Sequence, residues 1–199
     1  MDSDNSQLLA SCGGGAPRRR RADAQRNVEA LLSAAKAVFA GSGVDAPAKQ
    51  ITDLAGLGVG TLYRHFPQRS DLVVAVITHD IDACAAAAPE LAACQEPWPA
   101  LTAWVQRLTA LVSTKRGLAT ALHSGDPAYA DLPSYFTGAL QPAVDALLDA
   151  ARDSGDVRAD ITGRELLSTV ALLCQPVAGE DLSFNEHMVR IFTQGLRQA

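Results

Sequence analysis

The stretch between Pro47 and Pro67, "PAKQITDLAGLGVGTLYRHFP", leaves the chain few ways to fold. Pro47 suits the first position of a helix, where its missing N–H would have no partner in any case. Gly56 ends that helix, because glycine takes the left-handed backbone that closes a C-terminal turn. A second short helix fits Val59 to His65, and Pro67 blocks its extension. Two short helices joined by a tight glycine turn make a unit whose members hold each other through a few apolar side chains. Here Ile51 and Leu54 on the first helix, with Leu57, Leu62 and Phe66 after it, are expected to supply those contacts.

The remaining chain repeats helical spacing and shows no convincing strand. Val28, Leu31, Leu32, Ala35, Val38 and Phe39 form one apolar stripe before Gly41. Val73, Ile77, Ile81 and Cys84 form a second, and Trp98, Leu101, Val105, Leu108 and Val112 a third. Leu140, Val144, Leu147, Leu148 and Ala151 form a fourth. Thr162 with Glu165, and Ser183 with Glu186, have capping-box spacing and predict two further helix starts. The fold class read from this pattern is all-α, with about nine helices. Residues 1–21 read as a disordered tail with a basic arm, Arg18 to Arg21. Residues 22–68 read as the helix-turn-helix unit, and residues 69–199 as a separate helical body.

Net charge across the whole chain is −5, which at first counts against a nucleic-acid partner. Its distribution reverses that impression. Residues 16–80 hold nine Lys and Arg against six Asp and Glu, whereas residues 81–199 hold eight against 14. A basic unit joined to an acidic one suits a DNA reader with a regulatory body. Cys12, Cys84, Cys94 and Cys174 show neither a C-x-x-C pair nor metal-ligand spacing, so no metal and no cofactor is expected. No apolar run approaches the roughly 20 residues of a membrane span, and the N-terminus lacks a signal-peptide pattern, so the expected location is cytoplasmic with no membrane partner.

Three readings compete for "GVGTLYRHF". A phosphate-cradling loop would need a strand before it, and a helix precedes it instead. A catalytic site would use His65, or else His123, Ser124 and Asp126, but neighbours in sequence seldom form a triad and no strained elbow is present. A helix presented to the major groove accounts for more of the residues. Gly60, Thr61, Tyr63, Arg64 and His65 then face outward. Tyr63 and His65 can donate to phosphate oxygens, Gly60 admits close backbone approach, and Thr61 can meet a base edge. Arg64 serves either as a guanine reader or as a phosphate clamp. Lys49 and Arg69 join the candidate DNA contacts.

"ITDLAGLGVGTLYRHFPQRSDLVVAV", preceded by "AVFAGSGVDAP", resembles the DNA-binding domain of TetR-family transcriptional regulators over roughly Arg26 to Val76. The resemblance implies a three-helix DNA-binding domain, a connecting fourth helix and a C-terminal bundle that binds ligand and dimerises. It implies a ligand-responsive repressor, not an enzyme, with double-stranded DNA, a small-molecule effector and a second copy of itself as partners. Two positions depart from the family pattern. Thr52 stands where a small Ala is usual, and its hydroxyl needs a partner such as the carbonyl one turn back. Ala46-Pro47 stands where a Thr or Ser often caps the helix, leaving Asp45 as the replacement cap.

Within the bundle, Trp104, Leu108, Leu111, Leu122, His123, Tyr129, Phe136 and Leu140 are candidate pocket residues for a lipophilic effector, a cationic one being open in so acidic a region, or else ordinary core. Leu166, Val170 and Leu173, with Met188, Ile191 and Phe192, are candidates for a dimer seam, or else monomer core. Arg18 to Arg21 fit a minor-groove arm or a solvated tail. A helical carrier or scaffold without DNA binding, and a small helical enzyme, are the readings from other classes.

Overall fold

A computed structural model of the chain describes residues 16–114, 125–158 and 160–198. Among them are eight α-helices: α1 (Ala16–Ser42), α2 (Ala48–Ala55), α3 (Val59–His65), α4 (Arg69–Cys94), α5 (Pro97–Thr114), α6 (Leu132–Asp153), α7 (Gly163–Leu173) and α8 (Leu182–Gly195). One 3-10 turn, Pro127–Tyr129, precedes α6. The described residues carry no strand, only an isolated antiparallel bridge between Val157 and Arg197. That bridge ties the C-terminus to the loop after α6, where Arg158 N–H donates to the Leu196 carbonyl and Gln198 N–H to the Asp156 carbonyl.

α4 organises the molecule. It packs against α1, α5 and α6 and buries Leu72, Val73, Val76, Ile77, Ile81 and Cys84 along its length. α4 is also long and apolar enough, by length and composition, to cross a membrane, contrary to the expectation that no such segment is present. Its apolar side chains instead sit in the core formed with Trp104, Leu108, Leu140 and Leu148. The Trp104 indole N–H donates to the Cys84 carbonyl at 2.8 Å, satisfying the polar atom of the largest fully buried side chain.

Helix ends follow local chemistry, with two differences from expectation. The Thr162–Glu165 capping box forms as expected: Glu165 N–H donates to the Thr162 hydroxyl, and Thr162 N–H returns to the Glu165 carboxylate at 2.8 Å. The last helix starts two residues earlier than its Ser183–Glu186 spacing suggests. Asp181 caps it, accepting from Ser183 N–H at 2.9 Å, because an aspartate oxygen reaches that donor with a single short side chain. Pro47 is the N-cap of α2 rather than its first helical residue, and α2 has no side-chain cap, from Asp45 or otherwise.

The arginine run differs as well. α1 begins at Ala16, so the backbone of Arg18 to Arg21 is helical and not part of a disordered tail. The side chains of that run lie outside the described residues.

Candidate functional site

The helix-turn-helix unit forms from the signals that punctuate its sequence. Gly56 adopts φ 67°, and its N–H and that of Leu57 fold back onto the Asp53 and Thr52 carbonyls to close α2. A β-branched or other L side chain is strained in that backbone region. Gly58 then opens α3 in an extended conformation, and Phe66 N–H closes it onto the Leu62 carbonyl at 2.8 Å. Ile51, Leu62 and Phe66 are buried against Leu31, Leu32, Ala35 and Phe39 of α1. Thr52 is buried too, and its hydroxyl donates to the Lys49 carbonyl at 3.1 Å, one turn back. The departure from the small residue expected there is thus satisfied within α2.

Leu54 does not serve as an inter-helix contact. Its side chain is 60% exposed, because α2 has only two turns and Ile51 and Thr52 take the whole inward face. Val59 and Tyr63 are also exposed large side chains on α3, Tyr63 at 52%. Gly60 and Arg64 are exposed, whereas Thr61 and His65 are half-buried. α3 therefore presents Gly60, Tyr63 and Arg64 most fully, with Thr61 and His65 at the edges of that face.

The two further basic candidates part company. Lys49 is exposed on α2, its ammonium 2.8 Å from the Asp53 carboxylate one turn on. A surface pair of this kind is worth little. Arg69 is half-buried and bonded to its own chain. Its Nε donates to the Val44 carbonyl at 2.6 Å and one terminal nitrogen to the Ala46 carbonyl. Its guanidinium also lies over the Phe39 ring, 5.5 Å from the centroid. The loop between α1 and α2 has bare carbonyls there, and the fork of a guanidinium fits two of them at once.

Beyond the DNA-binding unit, two clefts open between the helices of the bundle. The larger, about 920 Å³, has buried Ile77, Val112, Leu132 and Leu167 at its floor. Tyr129 and Phe136 stand half-buried in its wall, and Arg164, Ser134, Thr137 and Ser168 at its rim. Burial, followed by the nearby Asp126 carboxylate, holds the Tyr129 phenol above its ordinary pKa of 10.0. The smaller, about 460 Å³, lies between α5 and α8 and is lined by Trp98, Val105, Glu186 and Arg190 among others.

Of the candidate pocket residues, Tyr129 and Phe136 line the larger cleft. Trp104, Leu108 and Leu140 are fully buried in solid core and line neither cleft. Leu111 faces a third, smaller hollow of about 220 Å³ beside Lys36 and Asp80. Leu122 and His123 lie outside the described residues. A stripe at helical spacing cannot distinguish core from cavity wall, and Arg164, the charged residue of the larger cleft, carried no signal beyond its place in a helix's first turn.

The candidate dimer seam is likewise split. Leu166 and Val170 are fully buried in the chain's own core, where α7 packs on α6, so they cannot meet a second copy. Leu173, Met188 and Phe192 are half-buried, and Ile191 is 51% exposed. Leu172, which the stripes passed over, is 71% exposed. The inward set Leu166, Leu167 and Val170 puts Leu172 on the opposite side of α7, and an apolar residue on that polar side was the available signal.

Comparison with known proteins covers both halves of the chain. Residues 31–76 match the family model of bacterial regulatory proteins of the tetR family. Residues 96–198 match that of the SbtR-like transcriptional regulator C-terminal domain. The chain is similar to the crystal structure of a TetR transcriptional regulator from Streptomyces coelicolor, with 32% identity and a TM-score of 0.74 over 86% of this chain and 99% of that one. It is similar to a TetR regulatory protein from Mycobacterium vanbaalenii, with 32% identity and a TM-score of 0.71 over 90% and 99%. Among curated relatives, an HTH-type transcriptional regulator of Staphylococcus aureus is 32% identical over 85 residues, spanning 41% of this chain and 44% of that relative.

Proposed function

The chain belongs to the TetR family of transcriptional regulators, and on that premise we propose that it is a ligand-responsive repressor binding a palindromic operator as a homodimer. The observation that carries this reading is the outward face of α3. Tyr63 and Arg64 project from a two-turn helix whose opposite side is locked by Leu62 and Phe66. Such a helix covers only a few base pairs, so useful specificity needs two copies. A two-fold dimer offers them to half-sites about 34–36 Å apart or at a related spacing. Exposed Leu172 and Ile191, with half-buried Met188 and Phe192 beside them, supply the apolar side of α7 and α8 for that dimer.

In this reading Arg64 reads guanine or clamps phosphate, Tyr63 and His65 hold phosphates, Thr61 meets a base edge and Lys49 adds a phosphate contact from α2. The effector occupies the larger cleft, since Ile77 of α4 forms part of its floor and α4 leads directly from α3. A ligand that fits the cleft only when α4 is displaced weakens DNA binding by the factor with which DNA weakens ligand binding. The repressor acts in the cytoplasm.

A gel-shift titration followed by footprinting, with DNA flanking the protein's own gene, tests the reading. Arg64→Ala is expected to cost about 1–3 kcal/mol of binding while circular dichroism stays unchanged. Wild-type protein that protects no fragment would refute the DNA-binding role.

A further inference from the structure

Charge at the larger cleft points to the chemistry of its occupant. Its floor is aliphatic, built from Ile77, Val112, Leu132 and Leu167. Its rim is polar, and among the described residues lining it Arg164 is the one charged side chain. The Arg164 side chain is exposed and makes no ion pair or hydrogen bond among the described residues. The carboxylates nearest in sequence are already committed. Glu165 accepts from Thr162 at 2.7 Å, and Asp160 accepts from Arg158 at 2.7 Å. A guanidinium left without a carboxylate, at the edge of an apolar hollow, has the fork geometry that matches a carboxylate or phosphate. The volume, about 920 Å³, lies at the upper end of the range of about 300–1,000 Å³ usual for small-molecule pockets.

We propose that this cleft takes an anionic amphiphile: an aliphatic body on the Ile77–Val112–Leu132–Leu167 floor and an acidic head group on Arg164. The inference rests on the ligand-responsive reading above and gives it a chemical class. A cationic ligand is disfavoured, because no carboxylate is among the described lining residues and Arg164 repels it. The acidity of the surrounding body makes the point sharper. Residues 81–199 carry eight Lys and Arg against 14 Asp and Glu, so an anion approaching this half needs a specific partner.

The test uses full-length protein without DNA and three probes of equal chain length: decanoate, decanol and decyltrimethylammonium, each below its aggregation concentration. Isothermal calorimetry should show decanoate binding about tenfold more tightly than decanol, the effect of one charge-assisted pair. Arg164→Gln should erase that preference and Arg164→Lys should retain part of it, with both variants folded because the side chain is exposed. Ala171→Trp, which fills the cleft from α7, should weaken decanoate and decanol alike. Equal or tighter binding of the alcohol or the cation, a preference that survives Arg164→Gln, or binding of none of the three would each overturn the proposal. Decanoate that binds through Arg164 yet leaves a protein–DNA complex intact would support the cleft's chemistry while removing the repressor mechanism.

Discussion

Replacing Arg69 separates two roles that the sequence alone could not distinguish. At the start of α4 it bonds the Val44 and Ala46 carbonyls and lies over Phe39, so Arg69→Ala removes two hydrogen bonds and a ring contact together. Bonds from a charged donor contribute about 1.5–3 kcal/mol each, and the ring contact adds about 0.5–1 kcal/mol. Arg69 is half-buried and the two carbonyls regain water when it leaves, which offsets much of the sum. A net loss of about 2 kcal/mol remains, which for a chain of this size lowers Tm by about 4–8 °C. Arg69→Lys is the informative partner. It keeps the charge but not the fork, so a structural Arg69 predicts that lysine restores only a small part of the stability. Thermal unfolding of both variants measures this, and DNA titrations at several salt concentrations measure the rest. Since the Arg69 guanidinium is engaged by the Val44 and Ala46 carbonyls and the Phe39 ring, the slope of affinity against salt should be unchanged in both. Unaltered stability with a slope reduced by about one, restored by lysine, would refute the reasoning and return Arg69 to the DNA interface.

Gly56→Ala should destabilise the protein by about 1 kcal/mol in urea unfolding, since φ 67° penalises any Cβ although the surrounding space is open. Burial pushes the Cys84 thiol up to about 11, so iodoacetamide at pH 8 should modify exposed Cys94 in native protein and reach Cys84 only after denaturation, read by mass spectrometry. Hydrogen bonds from the Thr162 side chain and backbone hold the Glu165 carboxyl below its ordinary 4.5. A depressed native pKa contributes stability that is present above the unfolded value and lost as pH falls through the native one. Thr162→Ala should therefore lower stability at neutral pH and reduce its decline on acidification below pH 4.5, followed by urea midpoints across that range.

What could be read from the sequence was whatever a few neighbouring residues decide among themselves. Gly56 closes α2 because its backbone freedom is a local property, and Thr52 finds the Lys49 carbonyl because the helix itself supplies it. The outward set on α3 follows from the spacing of Leu62 and Phe66 alone. What the sequence left open depends on distant partners. Arg69 meets carbonyls more than twenty residues earlier, and no local pattern announces a loop with bare acceptors. Leu54 looked inward because it is apolar, yet α1 covers only the Ile51 side of α2. Leu166 and Val170 carried a stripe that fits a dimer as well as a core, and only the position of α6 decides between them. Trp104 reads as a pocket aromatic until the Cys84 carbonyl is seen to occupy its N–H.

Distant contacts of the same kind bear on the proposed relay through α4. Within two turns it holds the DNA-binding unit through Asp80, which pairs with Lys36 of α1 at 2.8 Å, and α6 through Asp82, which accepts from the Tyr135 hydroxyl at 2.6 Å. Ile77, one turn before Asp80, lies in the cleft floor itself. Neither polar tie is strong: exposed or half-exposed pairs contribute about 0–1 kcal/mol each. Coupling between two sites in such proteins amounts to about 1–3 kcal/mol, so breaking one tie is within reach of a ligand's binding energy. The apolar packing of α4 on α5 and α6 involves many buried side chains and would cost far more to undo. Displacement of α4 in the proposed mechanism is therefore a shift of its N-terminal half against α1, pivoting on the packed segment around Cys84 and Trp104, and not a repacking of the bundle.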